Sequence, residues 1–153
     1  PAVLMSDQSH SALERAARIV GVRPAGIRKV PSDEAFRIRM GDLEAAIADA
    51  RSEGFTPIAV CGNAGATSTG AVDPLEEMAD LCAREGIWLH VDGAYGGFAV
   101  ITEQGRSLFR GLERADSIVL DAHKWLFQPF EAGCLLVRDV RTLETVFNEL
   151  ATR

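Results

Sequence analysis

A chain of 153 residues, 47% hydrophobic and 25% charged, is long enough for one domain with its own core and is neither disordered nor fibrous in composition. Its formal net charge of −6 offers no basic stripe to nucleic acid, and no apolar run approaches the roughly 20 residues that a membrane span requires. Cys61, Cys82 and Cys134 are odd in number, widely spaced and set in apolar segments, which predicts buried thiols in a reducing, cytoplasmic compartment rather than disulfides. The first residues lack the charged start of a secretory signal.

Residues 2–5 predict a strand, followed by a helix capped by Ser9, with Leu13, Ala16, Ala17 and Val20 facing inward and Gly21 at its end. A weaker strand follows at 27–30. Leu43, Ala46, Ile47 and Ala50 make one stripe of a second helix that stops at Gly54, before a strand at 57–61. After the loop GNAGATSTGAVD, Asp73 and Pro74 read as an N-cap and first-turn proline for a helix that buries Leu75, Met78, Ala79 and Cys82 and ends at Gly86. Strands are expected at 87–91, 117–120 and 133–137, a mixed, initially glycine-rich stretch at 93–114, and a terminal helix at about 140–150. Six strands alternating with four or five helices predict an α/β fold built on a mainly parallel sheet. The runs IAVCG, IWLHVD, SIVLD and CLLV are nearly continuous hydrophobes, as in strands covered by helices on both faces. The chain opens inside a strand-like run and stops at ATR, so residues 1–153 are expected to be a single domain cut from a longer protein.

In open sheets of this kind ligands collect beyond the carboxyl ends of the strands. The polar residues concentrate there: His10 after the first strand, 63–69 after the third, Asp92 to Gly97 after the fourth, and Asp121 to Lys124 after the fifth. An acid in HVDGAYGG and an amine in DAHKW, each following a buried strand, suit pyridoxal phosphate. That cofactor needs a lysine to hold its aldehyde as a Schiff base and a carboxylate to keep its ring nitrogen protonated. Taken singly, Asp92 before Gly93 also fits a strand-end turn, and Lys124 a solvated surface charge. Lys124, however, lies between SIVLDAH and WLF, where an amine is costly unless paired or covalently used.

Competing chemistries explain less. His90, Asp92 and His123 could together bind iron or zinc, but Lys124 is then without a role, and no metal is expected. GATSTG lacks the lysine of a nucleotide-binding loop, and its hydroxyls also suit a plain connecting loop. No GxSxG nucleophile elbow is present.

The segments SDQSHSALERA, DPLEEMADLCAREGIWLHVDGAYGG and ADSIVLDAHKWLFQP, in that order, resemble successive motifs of the pyridoxal-phosphate-dependent group II amino acid decarboxylases, the family of aromatic L-amino acid decarboxylase. The resemblance runs over essentially the whole chain. It implies the large domain of a fold type I transferase, here incomplete. Lys124 matches the lysine linked to the cofactor and Asp92 the aspartate that pairs with the pyridine nitrogen. Ala94 matches the alanine packed on one face of the ring, and His10 the histidine stacked on the other, close to the reacting centre, although His10 equally suits a helix N-terminal histidine satisfied by local hydrogen bonds. His123 matches a histidine of the phosphate environment, although a strand-end histidine equally suits a structural role. Thr67 matches a threonine near the ring. Asp121 departs from the aromatic pattern, which has asparagine there, and a carboxylate facing a phosphate is repelled unless protonated or turned away.

The resemblance further implies decarboxylation of a small-molecule L-amino acid, aromatic by preference, in a homodimer of the full-length protein. Aldehyde synthesis, lyase chemistry and transamination occur on the same fold. The family also requires an upstream phosphate-binding loop, a downstream mobile loop with a catalytic tyrosine and a small C-terminal domain, so the isolated chain is expected to be a non-catalytic core.

Overall fold

The apolar runs form β1 (Ala2–Ser6), β2 (Ile27–Val30), β3 (Pro57–Asn63), β4 (Trp88–Asp92), β5 (Ser117–Asp121) and β6 (Gly133–Val137) in a computed structural model that describes residues 1–148. They pair in the order β2-β1-β3-β4-β5-β6, parallel throughout except for the antiparallel β5–β6 pair. β3, β4 and β5 run on to Asn63, Asp92 and Asp121, so these polar residues themselves end strands. The helices are α1 (Ser11–Ile19), α2 (Met40–Ser52), α3 (Leu75–Glu85), α4 (Glu103–Leu108), α5 (Ala122–Trp125) and α6 (Val140–Asn148). Their number exceeds the expected four or five because 93–114 breaks into two 3-10 turns and α4, while Lys124 lies in the single helical turn of α5.

The core forms where α2 and α3 cross one face of the sheet. Leu43 and Ile47 of α2 and Leu75, Met78, Ala79, Leu81 and Cys82 of α3 are buried and form one cluster with Leu4, Val60, Leu89 and Val91 from the strands, and Ala50 of α2 is also buried. Each large aliphatic side chain removed from water contributes about 1.5–3 kcal/mol, which makes this layer the principal anchor of the sheet. Among the described residues no helix is long and apolar enough to cross a membrane.

Several local expectations are corrected. The cap of α1 is His10, not Ser9: the His10 Nδ1 accepts the Ala12 N–H at 3.3 Å. Of the inward stripe of α1 only Ala17 is buried, and Val20 is 79% exposed, because α1 stands away from the α2–α3 layer and turns Leu13 and Ala16 towards a cleft. β6 is not covered on both faces, since it is the sheet edge, with Leu135 60% exposed. Cys134 on that strand is exposed, whereas Cys61 and Cys82 are buried as expected. The terminal helix is described to Asn148, and Leu150 lies outside the described residues.

Asp73 does not cap α3. Pro74 holds the cap position, and the Asp73 carboxylate turns inward, accepting from Ile38 N and Asn63 N at 2.7 Å and from Asn63 Nδ2 at 2.8 Å. Burial pushes this carboxyl up, against the three donors that pull it down. Asp73 thereby ties the end of β3 to the segment before α2 and closes the loop that carries Thr67. Asp73→Ala leaves buried donors unpaired at about 1–3 kcal/mol each before relaxation, so the unfolding free energy is expected to fall by at least about 2 kcal/mol. Urea denaturation measures this, and an unchanged midpoint would contradict the role.

Candidate active site

Strand alternation sorts the residues by face. Val60, Leu89 and Val91 enter the α2–α3 core, so their neighbours point the other way. Cys61, His90 and Ser117 stand in register across β3, β4 and β5, as do Asn63, Asp92 and Val119. This second face carries the polar groups. Its cleft, of about 470 Å³, is lined by His10, Thr67, His90, Asp92, Asp121 and Lys124, with Ala12, Leu13, Ala16, Ala94, Val119 and Leu135 as the apolar part.

Backbone proximity places two of these residues. Gly65, at a φ of 87°, lies so close to Gly96 that a Cβ on it would stand 2.7 Å from the Gly96 Cα. The loops following β3 and β4 are therefore pressed backbone to backbone, which sets Thr67 and Ala94 at one mouth. The Ala94 N–H donates to Asp92 Oδ1 at 3.1 Å. Asp92 makes no ion pair among the described residues, and its carboxylate faces the cleft.

Lys124 lies just beyond β5, and its Nζ meets Asp121 Oδ2 at 2.8 Å. The Lys124–Asp121 pairing is not legible in the spacing of these residues, whereas the two-residue spacing of His90 and Asp92 on β4 does place His90 on the same face as the acid. Burial pushes the His90 imidazole down, while the Asp92 charge pulls it up. Ser117 Oγ accepts from Trp88 Nε1 and lies 2.8 Å from His90 Nδ1, to which its own hydrogen is free to go. That arrangement suits a neutral His90 carrying its proton on Nε2. The buried Cys61 thiol beside it is pushed up to about 12 by desolvation and by the Asp92 charge, so it stays protonated and chemically silent.

The structure thus brings together five of the six residues singled out by sequence: Lys124, Asp92, Ala94, His10 and Thr67. His123 does not line this cleft. Its Nδ1 accepts the Ala132 N–H at 3.0 Å and its ring meets the edge of Phe130 at 4.9 Å. Among the described residues no cluster of three His, Cys, Asp or Glu could hold a metal ion. Leu135 in the lining comes from the antiparallel edge strand, which no periodicity connects with the site. A second cleft, of about 500 Å³, opens on Lys124 between Tyr95, Trp125 and Phe127.

The donor set fits a pyridoxal cofactor. An amine, a carboxylate without an ion pair among the described residues, a methyl group and an imidazole converge from three separate segments on a space within the usual range for small-molecule sites.

Comparison with known proteins agrees. Residues 1–151 match the pyridoxal-dependent decarboxylase conserved domain. Aromatic-L-amino-acid decarboxylase of Bacillus atrophaeus is 44% identical over 145 residues, which cover 95% of this chain and 30% of that protein. Phenylacetaldehyde synthase of Petunia hybrida is 37% identical over 143 residues, covering 92% of this chain and 28% of the relative. A crystal structure of Oryza sativa TDC with PLP superposes with a TM-score of 0.88 at 40% identity, covering 94% of this chain and 30% of that one. The chain spans less than a third of the length of these relatives. With the cleft and the sequence match in agreement, the chain belongs to the pyridoxal-dependent decarboxylase family, and its cofactor is pyridoxal 5′-phosphate.

Proposed function

We propose that the full-length protein decarboxylates an L-amino acid, aromatic by preference, to the corresponding amine and CO2. The observation that carries this reading is the joint presence of Lys124 and Asp92 in one cleft, with Ala94 and His10 on separate loops around it. When bound, the cofactor supplies an electron sink for the pair left by the departing carboxylate.

The chain's own groups do the rest. Lys124 Nζ provides the amine that anchors the cofactor and gives way to the substrate nitrogen. Asp92 holds a proton on the ring nitrogen through its charge. Ala94, His10 and Thr67 line the cleft and would hold the ring between them. His123, with Nδ1 satisfied by the Ala132 N–H and Nε2 standing 3.7 Å from Asp121 Oδ2, borders the cleft from outside and would contribute to the phosphate environment from there. Leu13, Val119 and Leu135 supply the apolar lining against which the cofactor would pack. Lys124 Nζ would also be the group placed to retake the cofactor and release the amine.

The aromatic preference is supported by the Tyr95, Trp125 and Phe127 cleft opening on Lys124, and by the aromatic-L-amino-acid decarboxylase relative. The reading includes a cytoplasmic homodimer, whose second copy would cover the exposed Phe127 and Phe130. On this reading residues 1–153 carry the groups for the cofactor but do not turn over alone, in keeping with their share of the relatives' length.

A substrate panel on the full-length protein, scored by CO2 release and chromatography of products, tests this. Aromatic L-amino acids are expected to exceed acidic and diamino ones by about tenfold or more in kcat/KM. Absence of CO2 from every amino acid would contradict decarboxylation. The phenylacetaldehyde synthase relative favours one alternative, in which the product is an aldehyde, and the same chromatography separates the two.

A further inference from the structure

We propose that Asp121 is a positioning residue that holds Lys124 as an ion-paired ammonium whenever its Nζ is not joined to the cofactor, and so restrains its attack. This rests on the assignment of Lys124 as the anchoring amine.

Asp121 ends β5 and occupies the N-cap position of α5, where an aspartate ordinarily accepts a backbone N–H of the first turn. It makes no such bond here. Its side chain turns instead to Lys124 Nζ at 2.8 Å, with Asp121 17% exposed and Lys124 35%. The antiparallel pairing sets Gly133 opposite Asp121, where a Cβ would come within 3.3 Å of Asp121 Oδ1. The absence of a side chain at Gly133 thus leaves the carboxylate its room.

The cleft holds two aspartates with different engagements. Asp92 is turned by the Ala94 N–H and makes no ion pair among the described residues, whereas Asp121 Oδ2 meets Lys124 Nζ at 2.8 Å and stands farther, at 3.7 Å, from His123 Nε2. The carboxylate needed at the ring nitrogen is therefore not consumed by Nζ.

The consequence is kinetic. When the substrate amine replaces Lys124, the C–N linkage to the substrate forms as the linkage to Nζ breaks. With one proton on the linkage throughout, two protons pass from the substrate ammonium to Nζ, which leaves as –NH3+. An ammonium has no lone pair, so a paired Lys124 cannot expel the substrate before CO2 is lost. Product release reverses the same proton count.

A partly exposed pair three residues apart contributes little to stability, so rates are the decisive readout. The full-length protein, freed of cofactor, is compared with Asp121→Asn, Asp121→Ala and Asp121→Glu. Acylation of Lys124 by a small amine-reactive ester is followed by peptide mass spectrometry, and capture of added pyridoxal phosphate by stopped-flow absorbance. Both rates are expected to rise about tenfold in the Asn and Ala variants and to return to near wild type in the Glu variant. A merely structural Asp121 would slow capture, and unchanged or slower rates in the near-isosteric Asn variant overturn the proposal. A wild-type protein that yields no borohydride-trapped adduct on Lys124 overturns the assignment of Lys124 as well. A trapped wild-type adduct with unaltered Asp121 variants overturns only the role of Asp121.

Discussion

Lys124→Ala in the full-length protein is expected to abolish borohydride-trapped cofactor and to lower kcat by about 10³-fold or more. Covalent anchoring turns a bimolecular encounter into an intramolecular one, and well-oriented intramolecular reactions reach effective molarities of about 10⁵–10⁸ M. Losing even part of that advantage corresponds to about 4 kcal/mol at the transition state. The loss is catalytic rather than structural. Lys124 is partly exposed, and its ion pair in the structure is with Asp121, so the thermal midpoint should stay near that of the wild type. Absorbance of the linked cofactor, peptide mass spectrometry and turnover check the three parts. Retention of the absorbance band and turnover in the alanine variant would remove Lys124 from the mechanism.

The second large effect is expected at Asp92. A carboxylate about 4 Å from the protonated ring nitrogen gains on the order of 4 kcal/mol at an effective dielectric of about 20, before desolvation is subtracted. Asp92→Asn isolates that charge, because its amide oxygen can still accept the Ala94 N–H that holds the following loop. Turnover is expected to fall by about 10²-fold, while trapping on Lys124 persists. Asp92→Ala also releases the Ala94 turn and should weaken cofactor retention in addition. Turnover of the Asn variant within about threefold of the wild type would falsify the electrostatic assignment.

How much of this was legible in the sequence varies with the physical range of each determinant. The core stripes of α2 and α3 were readable because helical periodicity and burial coincide there, as at Leu43, Ile47, Leu75 and Met78. The stripe of α1 was misread because the same periodicity produces an apolar face whether it packs on a core or borders a cleft. Leu13 and Ala16 took the second course. Asp73 was misread because aspartate before proline satisfies the local rule for a cap, while its partners Ile38 and Asn63 come from elsewhere in the chain.

The sequence by itself determined the alternating α/β order, through the spacing of its apolar residues, and the family, through the ordered motifs that resemble it; it also nominated Asp92 and Lys124 as the acid and amine of a cofactor site. Only the tertiary structure decided that Lys124 is held by Asp121, that Asp92 makes no ion pair among the described residues, and that Leu135 completes the lining. Strand register, the pressed backbones at Gly65 and Gly96, and the antiparallel return of β6 set those relations. Each depends on contacts between segments distant in sequence, where no local periodicity reaches.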